Sequence, residues 1–293
     1  MSHTPVLLQE TIDCLDPEPG EFFIDGTANG GGHSKEILKA ISPDGTLLCV
    51  DWDEVAIKKA TKEVQSRNAT VIFANENYAE LPSLLKKKKL PKANGLLLDL
   101  GFSSDQLNIS GRGFSFLEDE PLYMTYSEKS KPVAEIIREL KEDDLADVIF
   151  KLSGERLSRK IAKAIKEASK RKRITSSLEL AEVIRKAVGG KYEAGRINPA
   201  TRTFQALRIF ANKELENLER VLSGLGSILA VGGRIAIISF HSIEDSLVKE
   251  YFKKMAQSKK LVLINKKPIE ASENEVMRNP RSRSARLRAA IIN

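Results

Sequence analysis

The chain has 293 residues, 41% of them apolar and 30% charged, with only two cysteines and a formal net charge of +7. That is ample chain for one large or two modest domains with a buried core, and the positive balance permits a polyanionic partner without requiring one. Cys14 and Cys49 have no CxxC or His-rich companion, no apolar stretch reaches membrane-spanning length, and Met1–Leu8 is not a basic-then-apolar leader, so the expectation is a soluble, cytoplasmic, metal-free protein without a disulfide scaffold.

The first predicted strand, Phe22–Ile24, runs into Asp25-Gly26-Thr27-Ala28-Asn29-Gly30-Gly31-Gly32-His33 and then into a helix from about Ser34. Three consecutive glycines at a strand-to-helix turn let a ligand touch the backbone. The turn is neither G-x-G-x-x-G nor a P-loop ending in Gly-Lys-Ser/Thr. Asp25 at its head would repel a pyrophosphate but attract a cationic amino group, which favours S-adenosylmethionine over NAD or ATP; a plain tight turn is the alternative. The next strand, Leu47–Val50, ends in Asp51, roughly 20 residues on, where nucleotide-binding βαβ units keep the acid that holds ribose hydroxyls.

A helix from about Glu54, a strand over Thr70–Phe73 and another over Gly95–Leu98 continue the alternation that marks a parallel sheet with helices on its faces. The last of these ends in Asp99. Ligands in open α/β sheets collect beyond the carboxyl ends of strands, so Asp51 and Asp99 are expected to open onto one crevice with Asp25 close by. Lys86–Lys89 lies on an interstrand connection and suggests no function.

Beyond Asn108 the periodicity turns helical, over Val133–Leu140, Leu145–Phe150, Glu155–Ser169 and Ser177–Val188, with no strand between. Within it, Arg156, Arg159, Lys160, Lys163, Lys166 and Lys170 recur at helical spacing and run on into Arg171-Lys172-Arg173, a cationic stripe able to follow phosphates or simply a solvated helix face. Strand character returns at Gly233–Phe240 and Leu261–Ile264. The expected organisation is an α/β core of residues 1–107 and 203–293, split by a helical insert of residues 108–202. The core closes on a basic tail, Asn279–Arg288, whose Arg281 and Arg283 alternate with serines that can donate to phosphate oxygens; a disordered tail is the alternative.

The chain resembles, nearly end to end, the bacterial small-subunit (16S) ribosomal RNA (cytosine-N4)-methyltransferase family, RsmH/MraW. The resemblance is carried by His3–Leu8, the Asp25–His33 turn, Asp99-Leu100-Gly101 with Ser103-Ser104 and Gln106-Leu107, and Arg112–Phe116. It continues through Ala200–Ile209, Ile238–Ser242 with Glu244-Asp245, and Asn279–Arg281, in matching order and spacing. It implies a class I S-adenosylmethionine-dependent methyltransferase, Rossmann-like and doubly wound, whose helical insert recognises substrate, methylating N4 of a cytidine in the ribosomal decoding centre, as monomer or homodimer. It also implies cofactor contacts at Gly31, Gly32, His33, Asp51, Tyr78, Asp99 and Gln106. Arg112 and Arg202, inside two of the motifs, join the basic helix and the tail as expected RNA contacts.

A cytosine amine is a poor nucleophile, so the enzyme must align it in line with the sulfonium methyl and accept a hydrogen bond as positive charge develops. Asp99 is the expected acceptor, with Ser103 and Ser104 positioning the base. His241 is expected either as a second acceptor or as a cap on the helix that follows it. Phe102, Phe114 and Phe116 are candidates for stacking on an unpaired base. The chain departs from the family pattern at Asn29, a usual glycine; at Tyr123 and Thr125, where Asp and Arg are typical; and at Asn198, a usual His. The Tyr123 and Thr125 departure keeps open a cofactor-binding ribosome-assembly factor weakened in catalysis, and a methyltransferase of similar fold acting on another substrate is the rival within enzymes.

Overall fold

A computed structural model of the chain describes residues 5–101, 111–127, 130–190, 192–195 and 197–293, which fall into two compact units: residues 1–103 with 215–293, and residues 104–214. The first unit opens with α1 (Leu8–Leu15), β1 (Phe22–Asp25), α2 (Gly32–Ile41), β2 (Thr46–Asp51), α3 (Glu54–Glu63), β3 (Thr70–Asn75), α4 (Leu81–Lys88) and β4 (Ala93–Asp99). The second contains α5 (Val133–Glu139), α6 (Glu142–Ser153), α7 (Ser158–Arg171), α8 (Ser177–Val188) and α9 (Ala200–Asn212). The first unit resumes with α10 (Glu214–Ser223), the short α11 (Leu225–Ile228), β5 (Leu229–Ser239), α12 (Ser242–Gln257), β6 (Leu261–Leu263), β7 (Ile269–Glu270), α13 (Glu273–Arg278) and β8 (Arg286–Ile292).

The sheet order is β3-β2-β1-β4-β5-β8-β6, with β7 added to β8. Strands β1 to β5 are mutually parallel, and β8 runs antiparallel between β5 and β6. Every residue of β1 is buried, because helices cover both faces and alternate side chains enter opposite cores. Phe22, Ile24, Leu48, Leu96, Leu98 and Ile237 pack with α4, α10 and α12 on one face. On the other, Phe23, Leu47, Cys49, Leu97, Ala236 and Ile238 pack with α1, α2 and α3. The parallel order carries Asp25, Asp51, Asp99 and Ser239 to the same carboxyl edge.

Strand β8 corrects the reading of the C-terminal residues as a basic tail. Leu287, Ala289 and Ala290 enter the two cores. Arg288, on the same strand, is buried because Nε and Nη2 reach Asp245 Oδ1 and Oδ2 at 2.6 and 3.2 Å, while Arg286 Nη1 reaches Oδ2 at 3.2 Å. Two arginines in a seven-residue strand hid an alternation that an inward acid makes tolerable.

In the helical unit α9 packs on α6, and Phe204 meets Phe116 edge-on at a centroid separation of 5.2 Å. The expected division at 202/203 therefore falls within α9, whose buried Phe204 and Leu207 belong to the helical core. Among the described residues no helix is long and apolar enough to cross a membrane.

Candidate active site

The glycine turn is tied to all three strand ends. Asp25, the last residue of β1, accepts from Thr27 N at 3.1 Å and from Ser34 Oγ at 2.6 Å. Thr27 Oγ1 in turn accepts from the backbone N of Asp99 at 2.6 Å, and the backbone N of Asn29 donates to Asp51 Oδ2 at 2.9 Å. The backbone passes through left-handed conformations at Asn29 (φ 47°) and Gly31 (φ 83°). Asn is among the side-chain-bearing residues that tolerate this region best, so the departure at position 29 is absorbed. Gly31 is required twice over, since a Cβ there would also lie 2.5 Å from Val64 Cγ2.

The result is a buried, acidic edge. Asp51 Oδ1 also accepts from Asp53 N at 2.9 Å, yet burial pushes its carboxyl up to about 7 against those hydrogen bonds, with the nearby charges of Asp53 and Asp25 adding to the rise. Burial likewise raises Asp25, opposed by Ser34, His33 and Thr27 and reinforced by Asp99. Such shifts arise when carboxylates lose water without gaining a cation. Among the described residues no Lys or Arg forms an ion pair with Asp25 or Asp51. A ligand bearing positive charge and hydroxyl donors fits this donor set; a phosphate does not.

His33, in the first turn of α2, is buried with Nε2 3.0 Å from Val6 O and Nδ1 3.7 Å from Asp99 Oδ2. Asp99 is itself buried, and its Oδ1 accepts from Gly101 N at 3.0 Å. Gly32 sits against the N-terminal segment, where a Cβ would lie 2.6 Å from Pro5 Cγ. Tyr78, expected as an adenine surface, is packed into the core on the α4 face of the sheet. His241 lies at the same carboxyl edge as the aspartates and caps α12, its Nδ1 accepting from Glu244 N at 3.3 Å, with Nε2 3.1 Å from Glu244 Oε1. The helix-cap alternative thus describes its contacts. Ser103, Ser104, Gln106, Phe102 and His3 lie outside the described residues. Thr27, Ser34 and Asp53 went unnoticed in the sequence; their signal was a hydroxyl two residues after a strand-end acid, one at the start of the next helix, and an Asp at an N-cap.

The expected RNA contacts divide. Arg156, Lys160, Lys163 and Lys170 are exposed on or beside α7, and Lys163 lies 4.0 Å from Glu167. Arg159 Nη2 instead reaches Asp147 Oδ1 at 2.6 Å, and Lys166 Nζ donates to the carbonyls of Ile137, Arg138 and Leu140 at 2.8 to 3.0 Å, clasping the end of α5. Arg112 Nη1 donates to Tyr126 O at 2.9 Å. Arg202 Nη1 is 3.8 Å from Glu155 Oε2, a buried carboxylate that also takes the Tyr192 hydroxyl. Arg281 and Arg283 sit on a short 3-10 turn, Pro280–Ser284, half-buried and exposed respectively. Phe114 stacks on Tyr126 at 5.3 Å and is buried, a core role for a ring expected to hold a base; Phe116 packs on Phe204.

The other departures are accommodated locally. Tyr123 is half exposed, on the wall of a groove of about 510 Å³ lined also by Asp119, Glu135 and Arg173, whereas Thr125 is buried. Their irregular segment is anchored through its carbonyls, which accept from Val133 N at Tyr123 O at 2.9 Å and from Asn212 Nδ2 at Met124 O at 2.8 Å. Asn198 Oδ1 accepts from Ala200 N at 3.0 Å at the start of α9.

A doubly wound sheet whose glycine turn and strand-end carboxylates make a buried acidic edge defines a class I, S-adenosylmethionine-dependent methyltransferase. The family model of the MraW methylase family matches residues 1–292, and the chain belongs to that family. It is 42% identical over 305 residues to a protein of Syntrophobacter fumaroxidans named ribosomal RNA small subunit methyltransferase H, covering 99% of this chain and 96% of that one. A protein of the same name from Syntrophotalea carbinolica is 39% identical, with 98% and 96% covered. Among solved structures, TrmN from Thermus thermophilus aligns with a TM-score of 0.46 and 12% identity, over 98% of this chain and 48% of that chain.

Proposed function

We propose that this methyltransferase modifies the N4 amine of a cytidine in the decoding centre of small-subunit (16S) ribosomal RNA, with Asp99 as the hydrogen-bond acceptor for the reacting amine. The observation that carries the reading is the position of Asp99: a buried carboxylate at the carboxyl end of β4, its backbone N held by Thr27 of the glycine turn. The names of the relatives, small-subunit ribosomal RNA methyltransferases, support the substrate.

S-adenosylmethionine supplies an electrophilic methyl on a sulfonium. Asp51 would hold the ribose hydroxyls, which would add donors to those of Asn29 N and Asp53 N, and Gly31 and Gly32 would admit the methionine portion to the backbone. Asp25 and Asp99 would stabilise the positive charge that the cofactor brings into the pocket. Asp99 accepts from the amine, aligns its lone pair and takes charge off the nitrogen as the new bond forms. The exposed cations of α7, Arg156, Lys160, Lys163 and Lys170, hold RNA phosphates, assisted by Arg283.

The test is transfer of labelled methyl groups to small ribosomal subunits isolated before modification, with the product nucleoside identified by mass. N4-methylated cytidine is the expected product. Label in protein or in another nucleoside overturns the substrate assignment, and cofactor binding without turnover favours an assembly factor.

A further inference from the structure

The proposed reaction leaves a proton to be disposed of, and a carboxylate that accepts it from the amine must hand it on before it can accept another. The buried group next to Asp99 is His33. Its Nε2 faces the carbonyl oxygen of Val6 at 3.0 Å, and a carbonyl only accepts, so Nε2 carries the hydrogen. The neutral ring then presents Nδ1 as a bare lone pair, 3.7 Å from Asp99 Oδ2. Both are acceptors, and a proton passes between them once the ring and the carboxylate close from 3.7 Å to hydrogen-bond distance. The charged groups that face the ring are Asp99 from β4 and Asp25 from β1, with the Val6 carbonyl from the N-terminal segment.

We infer that His33 is a positioning residue that acts through Asp99, its Nδ1 being the site to which Asp99 passes the proton lost by the methylated amine. The inference rests on the proposed role of Asp99. The amine nitrogen enters with two hydrogens and a lone pair; the lone pair forms the nitrogen–carbon bond while the carbon–sulfur pair stays on sulfur. The surplus proton leaves nitrogen for Asp99 Oδ2 and moves on to Nδ1. The ring ends as an imidazolium with Nε2–H on Val6 O and Nδ1–H on Asp99, flanked by Asp25, and loses the proton to solvent as product leaves. Burial holds the resting ring neutral, because the charged form is the one it penalises, so the lone pair is available when the amine reacts.

The test uses the full chain. Nitrogen-15 spectra of histidine-labelled protein without substrate are expected to show His33 protonated at Nε2 and bare at Nδ1 above neutral pH; the opposite tautomer overturns the inference. His33→Gln, whose amide nitrogen can still donate to Val6 O, is compared with the parent at saturating S-adenosylmethionine, with affinity measured separately by calorimetry, so that a lost cofactor contact is distinguished from a change in the chemical step. Its single-turnover methyl transfer should be about 10²-fold slower and lack the rise with pH below neutrality that is expected of the parent. A variant that loses cofactor affinity while keeping the parental pH profile makes His33 a pocket wall and sinks the idea. Should the parent itself fail to methylate small subunits, the proposed function fails instead, and the tautomer measurement still decides whether Nδ1 is open.

Discussion

The carboxyl edge of the sheet and the exposed face of α7 are both dense in charge of one sign, and they handle it in opposite ways. At the sheet edge Asp25, Asp51 and Asp99 are buried and fixed by backbone and hydroxyl donors, and burial, with neighbouring carboxylates adding to it, raises the affinity of Asp25 and Asp51 for protons. On α7 the cations face water, and Arg159 and Lys166 are already engaged within their own unit. Buried charge of fixed geometry can select one ligand and one reacting atom, whereas solvated charge on long flexible stems selects only for polyanions. Under the proposed function the sheet edge does the chemistry and α7 attracts the polyanionic substrate.

The sharpest way to break this contrast is Asp99→Ala, which should lower methyl transfer by 10³-fold or more, about 4 kcal/mol of barrier, while thermal unfolding stays close to that of the parent; near-normal turnover in the purified variant removes Asp99 from the mechanism. Next in size is Arg288→Ala, which leaves Asp245 buried and short of its main partner and should cost about 3 kcal/mol in denaturant unfolding. Surface arginines of α7 replaced in the same way should cost far less, and an equal cost would erase the distinction between built-in and displayed cations.

The acidic edge also has a pH signature. Asp51 titrates at about 7 in the folded chain against about 4 when unfolded, so between those values the native state binds more protons. Stability without cofactor should therefore fall as pH rises from about 4 to about 7, while the lowered value of His33 acts in the opposite sense below about 6.5. Comparing melts of the parent and Asp51→Asn across that range isolates the carboxylate: the advantage of Asn should grow toward pH 7. A difference that does not change with pH would show that Asp51 is charged throughout. Cofactor affinity should rise over the same window as Asp51 ionises.

Charge reversal at Lys160 and Lys163 together should weaken RNA binding about tenfold at moderate salt and flatten the plot of log affinity against log salt by about 1 to 2 units; an unchanged slope would count against the stripe. The smallest effect belongs to Arg159→Ala, expected to change stability by under about 1 kcal/mol, because its ion pair with Asp147 is exposed.

Much of this molecule was legible in its sequence. The alternation of apolar runs with helical segments determined the parallel half of the sheet, since a strand covered on both faces must be apolar throughout, as Phe22–Ile24 and Leu47–Val50 are. The glycine turn with Asp25, Asp51 and Asp99 at strand ends determined the acidic edge, because backbone freedom and a carboxylate's charge are properties a residue carries with it. What pairing partners decide could not be read. Strand β8 was obscured by arginines that only Asp245, some forty residues earlier, makes buriable; Arg159 and Lys166 looked like members of one stripe until Asp147 and the end of α5 claimed them; and the tautomer of His33 depends on Val6. These are long-range contacts, in which the same side chain is a solvated cation or a structural tie according to what the fold sets against it, and only the tertiary structure supplies that partner.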